Sequence, residues 1–141
     1  MQLEVKTKIR IGAPAHEVFD AIINPAKMSQ YFITEASGPV EAGKTISWTW
    51  ADYHTTIDIH VQEVDLDRLI SFKWSGSSVE TLVEIELLAD TESITSVIVC
   101  EKGWDKDNKG IESLTEQTKG WMEMLLCLKA FVQFGINLRK V

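Results

Sequence analysis

A chain of 141 residues is the length of one domain, and its 45% hydrophobic and 25% charged residues are ordinary globular values that exclude disorder. Fourteen basic against 21 acidic side chains leave a net charge of −7, which excludes the basic footprint that nucleic acid or an anionic membrane surface requires. The longest unbroken apolar run, Met124 to Leu128, is far short of the ~20 residues of a membrane span.

Residues 2–11 alternate, with Leu3, Val5, Thr7, Ile9 and Ile11 on one side and Glu4, Lys6, Lys8 and Arg10 on the other. That pattern predicts a half-buried strand with one wet face. Gly12-Ala13-Pro14 breaks it, and Pro14 suits the first turn of a helix whose apolar stripe is Val18, Phe19, Ile22 and Ile23. Asn24-Pro25 ends that helix and opens a second short one towards Phe32, with Met28, Tyr31 and Phe32 on its inner face.

From about residue 33 to 101 the period is two. Ile46, Trp48 and Trp50 share a face, as do Ile57, Ile59 and Val61, then Ile70, Phe72 and Trp74. Val79, Thr81, Val83, Ile85 and Leu87 follow, then Val97 and Val99. Turns are expected at Gly43-Lys44, Ala51-Asp52, Asp65 to Asp67, Gly76 to Ser78 and Ala89 to Glu92. The short connections predict an antiparallel meander, and a parity switch near Glu63-Val64 predicts a bulge. After a polar loop from Lys102 to Gly110, the spacing of Leu114, Thr118, Trp121, Leu125, Leu128 and Val132 predicts one helix from Glu112 to Gly135.

Six or seven strands at ~4.8 Å make a sheet roughly 30 Å wide, whereas one helix covers only ~10–12 Å. The sheet must curl around the helix to bury its inner face. The expected fold is therefore α+β in one domain, 1–141: a curved antiparallel sheet around a long C-terminal helix, with two short helices after the first strand. Such a grip closes well along its middle and poorly at its mouth, so an apolar pocket is expected between sheet and helix.

The opening Ile9-x-Ile11-x-Ala13-Pro14-x-x-x-Val18-Phe19-x-Ala21-Ile22 resembles the entry of START-like (SRPBCC) helix-grip domains. Val40-x-x-Gly43 with Ile46-x-Trp48 is similar to their hairpin region, although Pro39 and Ala42 vary its glycines. Glu101-x-Gly103-Trp104, Gly120-Trp121-x-x-x-Leu125-x-x-Leu128-Lys129 and Gly135 resemble the branch named for activators of the heat-shock chaperone ATPase. The resemblance covers nearly the whole chain in the right order. It implies a cavity-bearing fold that serves lipid carriers, hormone receptors, cyclases and chaperone cofactors alike. The chaperone activators carry a further module before this domain, whereas this chain begins at the first strand, so ATPase stimulation is not the expected activity.

Little catalytic chemistry is legible. His54 and His60 lie ~20 Å apart on an extended strand and oppose Ile57, Ile59 and Val61, so they read as solvated, as does His16. Asp105-x-Asp107-x-Lys109-Gly110-x5-Glu116 nearly spells a calcium loop, but Lys109 stands where an oxygen ligand is needed. A solvated turn is expected there, and no metal or cofactor. No nucleophile elbow, P-loop or dinucleotide fingerprint is present. Cys100 and Cys127 sit in apolar patterns and read as buried free thiols, which with the absence of an apolar leader places the chain in a reducing cytoplasm.

Two features stand out: five tryptophans (Trp48, Trp50, Trp74, Trp104, Trp121) and Glu101. Flat rings with N–H donors suit either a large aromatic core or a pocket for an apolar or aromatic ligand. Glu101 continues the parity of Val97 and Val99, but Ile94, Ile98 and Cys100 on the other parity are apolar too, so its direction stays open. Inward, it is a polar anchor, an acid/base group or a strand-end cap.

The leading expectation is a cavity binder of a hydrophobic or aromatic small molecule or lipid. Its wall is expected to comprise Trp48, Trp50, Ile57, Ile59, Trp74, Val83, Ile85, Val97, Val99, Glu101, Trp121 and Leu125, with Met28 and Phe32 at the mouth. The alternatives are a cyclase- or hydrolase-like enzyme using Glu101, and a heat-shock chaperone partner engaged through an acidic face of Glu80, Glu84 and Glu86. A monomer or weak homodimer is expected, because open sheet edges leave groups that can pair while the net charge of −7 works against casual association.

Overall fold

In the computed structural model, which describes residues 3–140, the alternating opening forms strand β1, Leu3–Ile11, with Val5 and Ile11 buried and the charged residues on the far side. Met1, Gln2 and Val141, at the ends of the expected domain and first strand, lie outside the described residues. Helix α1, Ala15–Ile23, follows and buries Val18, Phe19, Ala21 and Ile22. Pro14 sits at its N-cap, and the Pro14 carbonyl accepts from the Val18 amide at 3.2 Å. Helix α2 is one turn, Pro25–Met28, capped by the Asn24 side chain on the Ala26 amide. The expected run to Phe32 is therefore shortened, although Met28 and Tyr31 are buried as the pattern requires.

Strands β2 (Glu35–Ala36), β3 (Thr45–Trp50), β4 (Thr55–Asp65), β5 (Leu69–Trp74), β6 (Thr81–Thr91) and β7 (Ile94–Trp104) complete one antiparallel sheet. Its order is β1-β7-β6-β5-β4-β3-β2, a meander whose last strand returns to pair with the first. The register slips between Val61 and Glu63, which is the bulge that the parity switch announces. Two details differ from the sequence pattern. Val79 precedes β6 and is exposed, and β6 runs on to Thr91, so its hairpin turns at Glu92-Ser93.

Helix α3 spans Asn108–Phe134, starting four residues before the expected Glu112. Asp107, the residue of the near-calcium motif, accepts from the Gly110 amide at 2.7 Å and caps the helix. Among the described residues, no group of acidic, histidine and cysteine side chains could hold a metal ion. The helix stops where Gly135 turns left-handed (φ 66°), with its amide on the Phe131 carbonyl at 3.0 Å. The inner stripe of α3 buries Trp121, Met124, Leu125, Cys127 and Leu128 against the sheet. Burying each large apolar side chain contributes ~1.5–3 kcal/mol, far more than the helix's own propensity supplies. No described helix is long and apolar enough to cross a membrane.

The end of β7 shows how one glycine aims several side chains. Val97, Val99 and Glu101 point inward, so residue 103 comes next on that face. Gly103 instead takes φ 137° and drops out of register with β1, where Leu3 faces Trp104 and Glu4 faces Lys102. A Cβ at Gly103 would meet the β6 backbone at 3.2 Å, on Glu80 O and Thr81 Cα. The extra residue turns Trp104 inward, buried, with its indole N–H on Ser77 Oγ at 2.9 Å.

Candidate functional site: a buried carboxylate behind an aromatic cavity

Glu101 is fully buried (0% exposed) on the inner face of β7, which resolves the ambiguity of its strand. Four groups donate to its carboxylate. Oε2 accepts from the indole N–H of Trp74 at 2.9 Å and the hydroxyl of Thr81 at 2.6 Å. Oε1 accepts from the amide of Gln117 at 3.0 Å and the indole N–H of Trp121 at 2.7 Å. Indole and amide N–H groups can only donate, so this is the hydrogen-bond pattern of a carboxylate ion. No cation lies within ion-pair distance of it among the described residues.

The donors come from three places that folding must bring together. Trp74 ends β5, Thr81 begins β6, and Gln117 and Trp121 lie one helical turn apart on α3. The carboxylate thus ties the helix to the sheet at the end of the grip where the two diverge. An ion without a counter-charge is costly to bury, and charge-assisted hydrogen bonds at ~1.5–3 kcal/mol each offset that cost.

On the far side of those indoles is a cavity of about 280 Å³. Phe32, Trp50, Trp74 and Trp121 make its wall, with ring centroids 5.3 Å (Phe32–Trp50), 6.3 Å (Trp50–Trp74), 5.4 Å (Trp74–Trp121) and 6.2 Å (Trp121–Phe32) apart. Four rings therefore follow one another in a closed circuit. Thr55, Ile57 and Gly76 extend the sheet side, Gln117, Gly120, Glu123, Met124 and Cys127 extend the α3 side, and Tyr31 joins them from beyond α2. Tyr53 and Arg139 stand at the rim, where the Arg139 guanidinium donates to Asp52 at 2.7 Å and lies 5.8 Å from the centre of the Tyr53 ring. Gly120 is in the helix interior with open space where its side chain would be. Glycine there costs ~1 kcal/mol of helix stability relative to alanine, and it keeps the cavity open.

Of the residues expected on the wall, Phe32, Trp50, Ile57, Trp74 and Trp121 line this cavity. Met28, Trp48, Ile59, Val83, Ile85, Val97, Val99 and Leu125 are buried in the solid core, and Glu101 sits behind the wall. These side chains occupy the middle of the grip, and the aromatic cavity lies at its open end. Tyr31 donates from its hydroxyl to the Ala21 carbonyl at 3.0 Å, and burial, then Cys127, push its phenol above the usual range. Burial, followed by the nearby Glu123, raises the Cys127 thiol, and burial likewise raises Cys100 on the opposite side of the sheet.

The histidines play no part in this site. His54 lies before β4 in a left-handed turn (φ 52°) rather than on the strand, and His60 is exposed with Nδ1 3.1 Å from Thr45 Oγ1. Of the expected acidic face, Glu84 and Glu86 share one side of β6. Glu80 precedes β6, and Glu84 lies 3.9 Å from the Lys102 ammonium.

A family model described as activator of Hsp90 ATPase homolog 1-like protein matches residues 12–133. No curated protein matches the chain in sequence. Among solved structures, protein SSP2350 from Staphylococcus saprophyticus is 28% identical, with a TM-score of 0.85 over 97% of this chain and 96% of its own. An Aha1 dimer from Colwellia psychrerythraea is 18% identical, with a TM-score of 0.81 over 94% of this chain and 98% of its own. DynU16, a protein of the dynemicin biosynthetic locus, is 22% identical with a TM-score of 0.83, and the match covers 94% of this chain and 48% of DynU16. The last two likenesses carry the fold alone.

Proposed function

The chain belongs to the family of activator of Hsp90 ATPase homolog 1-like proteins, and from that membership, which suggests a small-molecule or chaperone-interacting domain, we propose that its aromatic cavity binds a small apolar molecule. The observation that carries this reading is the set of four mutually packed rings, Phe32, Trp50, Trp74 and Trp121, bordering one cavity, with Gly120 leaving the way in unobstructed. A cavity of ~150 Å³ takes benzene. The volume of about 280 Å³ here suits a body of one or two rings rather than a sterol.

Glu101 holds this wall in place and is not an acid or base in this reading. Both oxygens are already occupied by donors, and the indoles stand between it and the cavity.

Titration with aromatic compounds, fatty acids and sterols is expected to change tryptophan emission for the compact aromatics first. Gly120→Leu, which fills the mouth from a solvent-facing helix position, is expected to weaken that binding at least tenfold while the unfolding midpoint holds. A bound ligand also shields Cys127 from a maleimide and leaves Cys100 unaffected. Emission that no compound alters would end the reading.

The comparisons with known proteins favour a second reading more than this one, because the family's description names activation of the Hsp90 ATPase. A chaperone partner would engage an outer face rather than the cavity. Stimulation of Hsp90 ATPase turnover that survives Gly120→Leu would establish that reading, and no stimulation would leave the cavity reading in place.

A further inference from the structure

The cavity has a chemical bias that its shape alone does not give, and the argument for it rests on the cavity reading above. Four aromatic rings line it, Phe32, Trp50, Trp74 and Trp121, and the π face of each ring carries the negative pole of its quadrupole. Two of those rings, Trp74 and Trp121, donate their N–H groups to one buried carboxylate, which pushes electron density back into the indoles. The carboxylate has no counter-cation among the described residues and is fully removed from water, so its field is poorly screened. Glu123 adds a second negative charge on the α3 side. Arg139, the one cation on the wall among the described residues, is already paired with Asp52 and lies over Tyr53.

We infer that the cavity selects a cationic ligand: a quaternary or alkyl-substituted ammonium group on a compact apolar body. A cation within ~6 Å of a ring centre is attracted by the face, and the attraction grows when both are desolvated. All four rings border the same cavity, so a cation held there lies near more than one of them. An anionic ligand meets the same faces, Glu101 and Glu123 as repulsion. Glu101 then has a role beyond orienting the wall, since it supplies the fixed negative charge that the aromatic lining transmits.

The test compares three probes of nearly equal size by tryptophan emission and by the indole N–H shifts of Trp74 and Trp121. They are benzyltrimethylammonium, its uncharged isostere neopentylbenzene, and phenylacetate. The expected result is that the cation binds at least tenfold more tightly than the isostere, and phenylacetate most weakly. In Glu101→Gln, where that variant folds, the advantage of the cation shrinks severalfold while the isostere's affinity changes little. The wild-type comparison stands without it. An isostere that binds as tightly as the cation, or phenylacetate as the tightest probe, would overturn the inference and leave the cavity reading intact. If none of the three binds, both fall together.

Discussion

Glu101→Ala is expected to lower the unfolding free energy by about 3–5 kcal/mol, the larger part of a marginal domain's stability. The substitution removes the common acceptor of four donors. Each buried donor left without a partner costs ~1–3 kcal/mol, but the four do not add. Gln117 is only half-buried and can turn to water, and the loss of a buried ion also relieves its desolvation cost. The indoles of Trp74 and Trp121 have no such escape, being 6% and 3% exposed. Glu101→Gln keeps the volume but, whichever way its amide turns, points an NH₂ towards an indole N–H that can only donate, so a loss of about 2–3 kcal/mol is expected. Urea unfolding would measure both, with the midpoint shifted and the slope unchanged. A loss below about 1 kcal/mol for the alanine variant would mean that the carboxylate does not tie helix to sheet.

How much of this was legible in the sequence depends on the reach of each interaction. The strands, the bulge near Glu63, the end of α3 at Gly135 and the inner-face residues follow from local alternation and turn chemistry, and the structure repeats them. The direction of Glu101 was not legible, because both parities of β7 are largely apolar. Gly103 is the residue that decides which side chains turn inward beyond it, and nothing in its neighbours announces a bulge. Gln117 carries no signal of its own in the sequence. It lies four residues before Trp121, so helical spacing placed it on the buried side, but a polar side chain there draws attention only once a buried acceptor is known. Arg139 and Asp52 are 87 residues apart in sequence and carry no local signal of their meeting. The expected wall includes residues of the core for a related reason. Inward parity marks what is buried, and it does not tell a side chain packed against others from one that borders empty space.

The five tryptophans show that distinction most sharply, since the sequence presents them as one class. Trp74 and Trp121 donate to Glu101 and form the cavity wall, Trp50 forms the wall alone, and Trp104 closes the far end of β7 onto Ser77. Trp48 has a different place. It is 1% exposed, lies outside the lining of the aromatic cavity, and meets Phe32, Trp50, Phe72 and Trp74 edge-on at centroid distances of 6.0, 6.3, 5.3 and 6.3 Å. Trp48→Ala is therefore expected to cost about 4–5 kcal/mol, at the upper end for a large aromatic truncation, because four edge-to-face contacts go with the buried area. Trp48→Phe retains a ring and is expected to cost about half of that. The void left by the alanine variant adjoins Phe32, Trp50 and Trp74, so its cavity should also accept a bulkier aromatic that the native protein refuses. Urea midpoints and a size series of aromatic ligands would check both parts. A loss under about 2 kcal/mol would show that the ring cluster packs loosely around Trp48, and that space for a ligand extends deeper into the grip than the solid core allows.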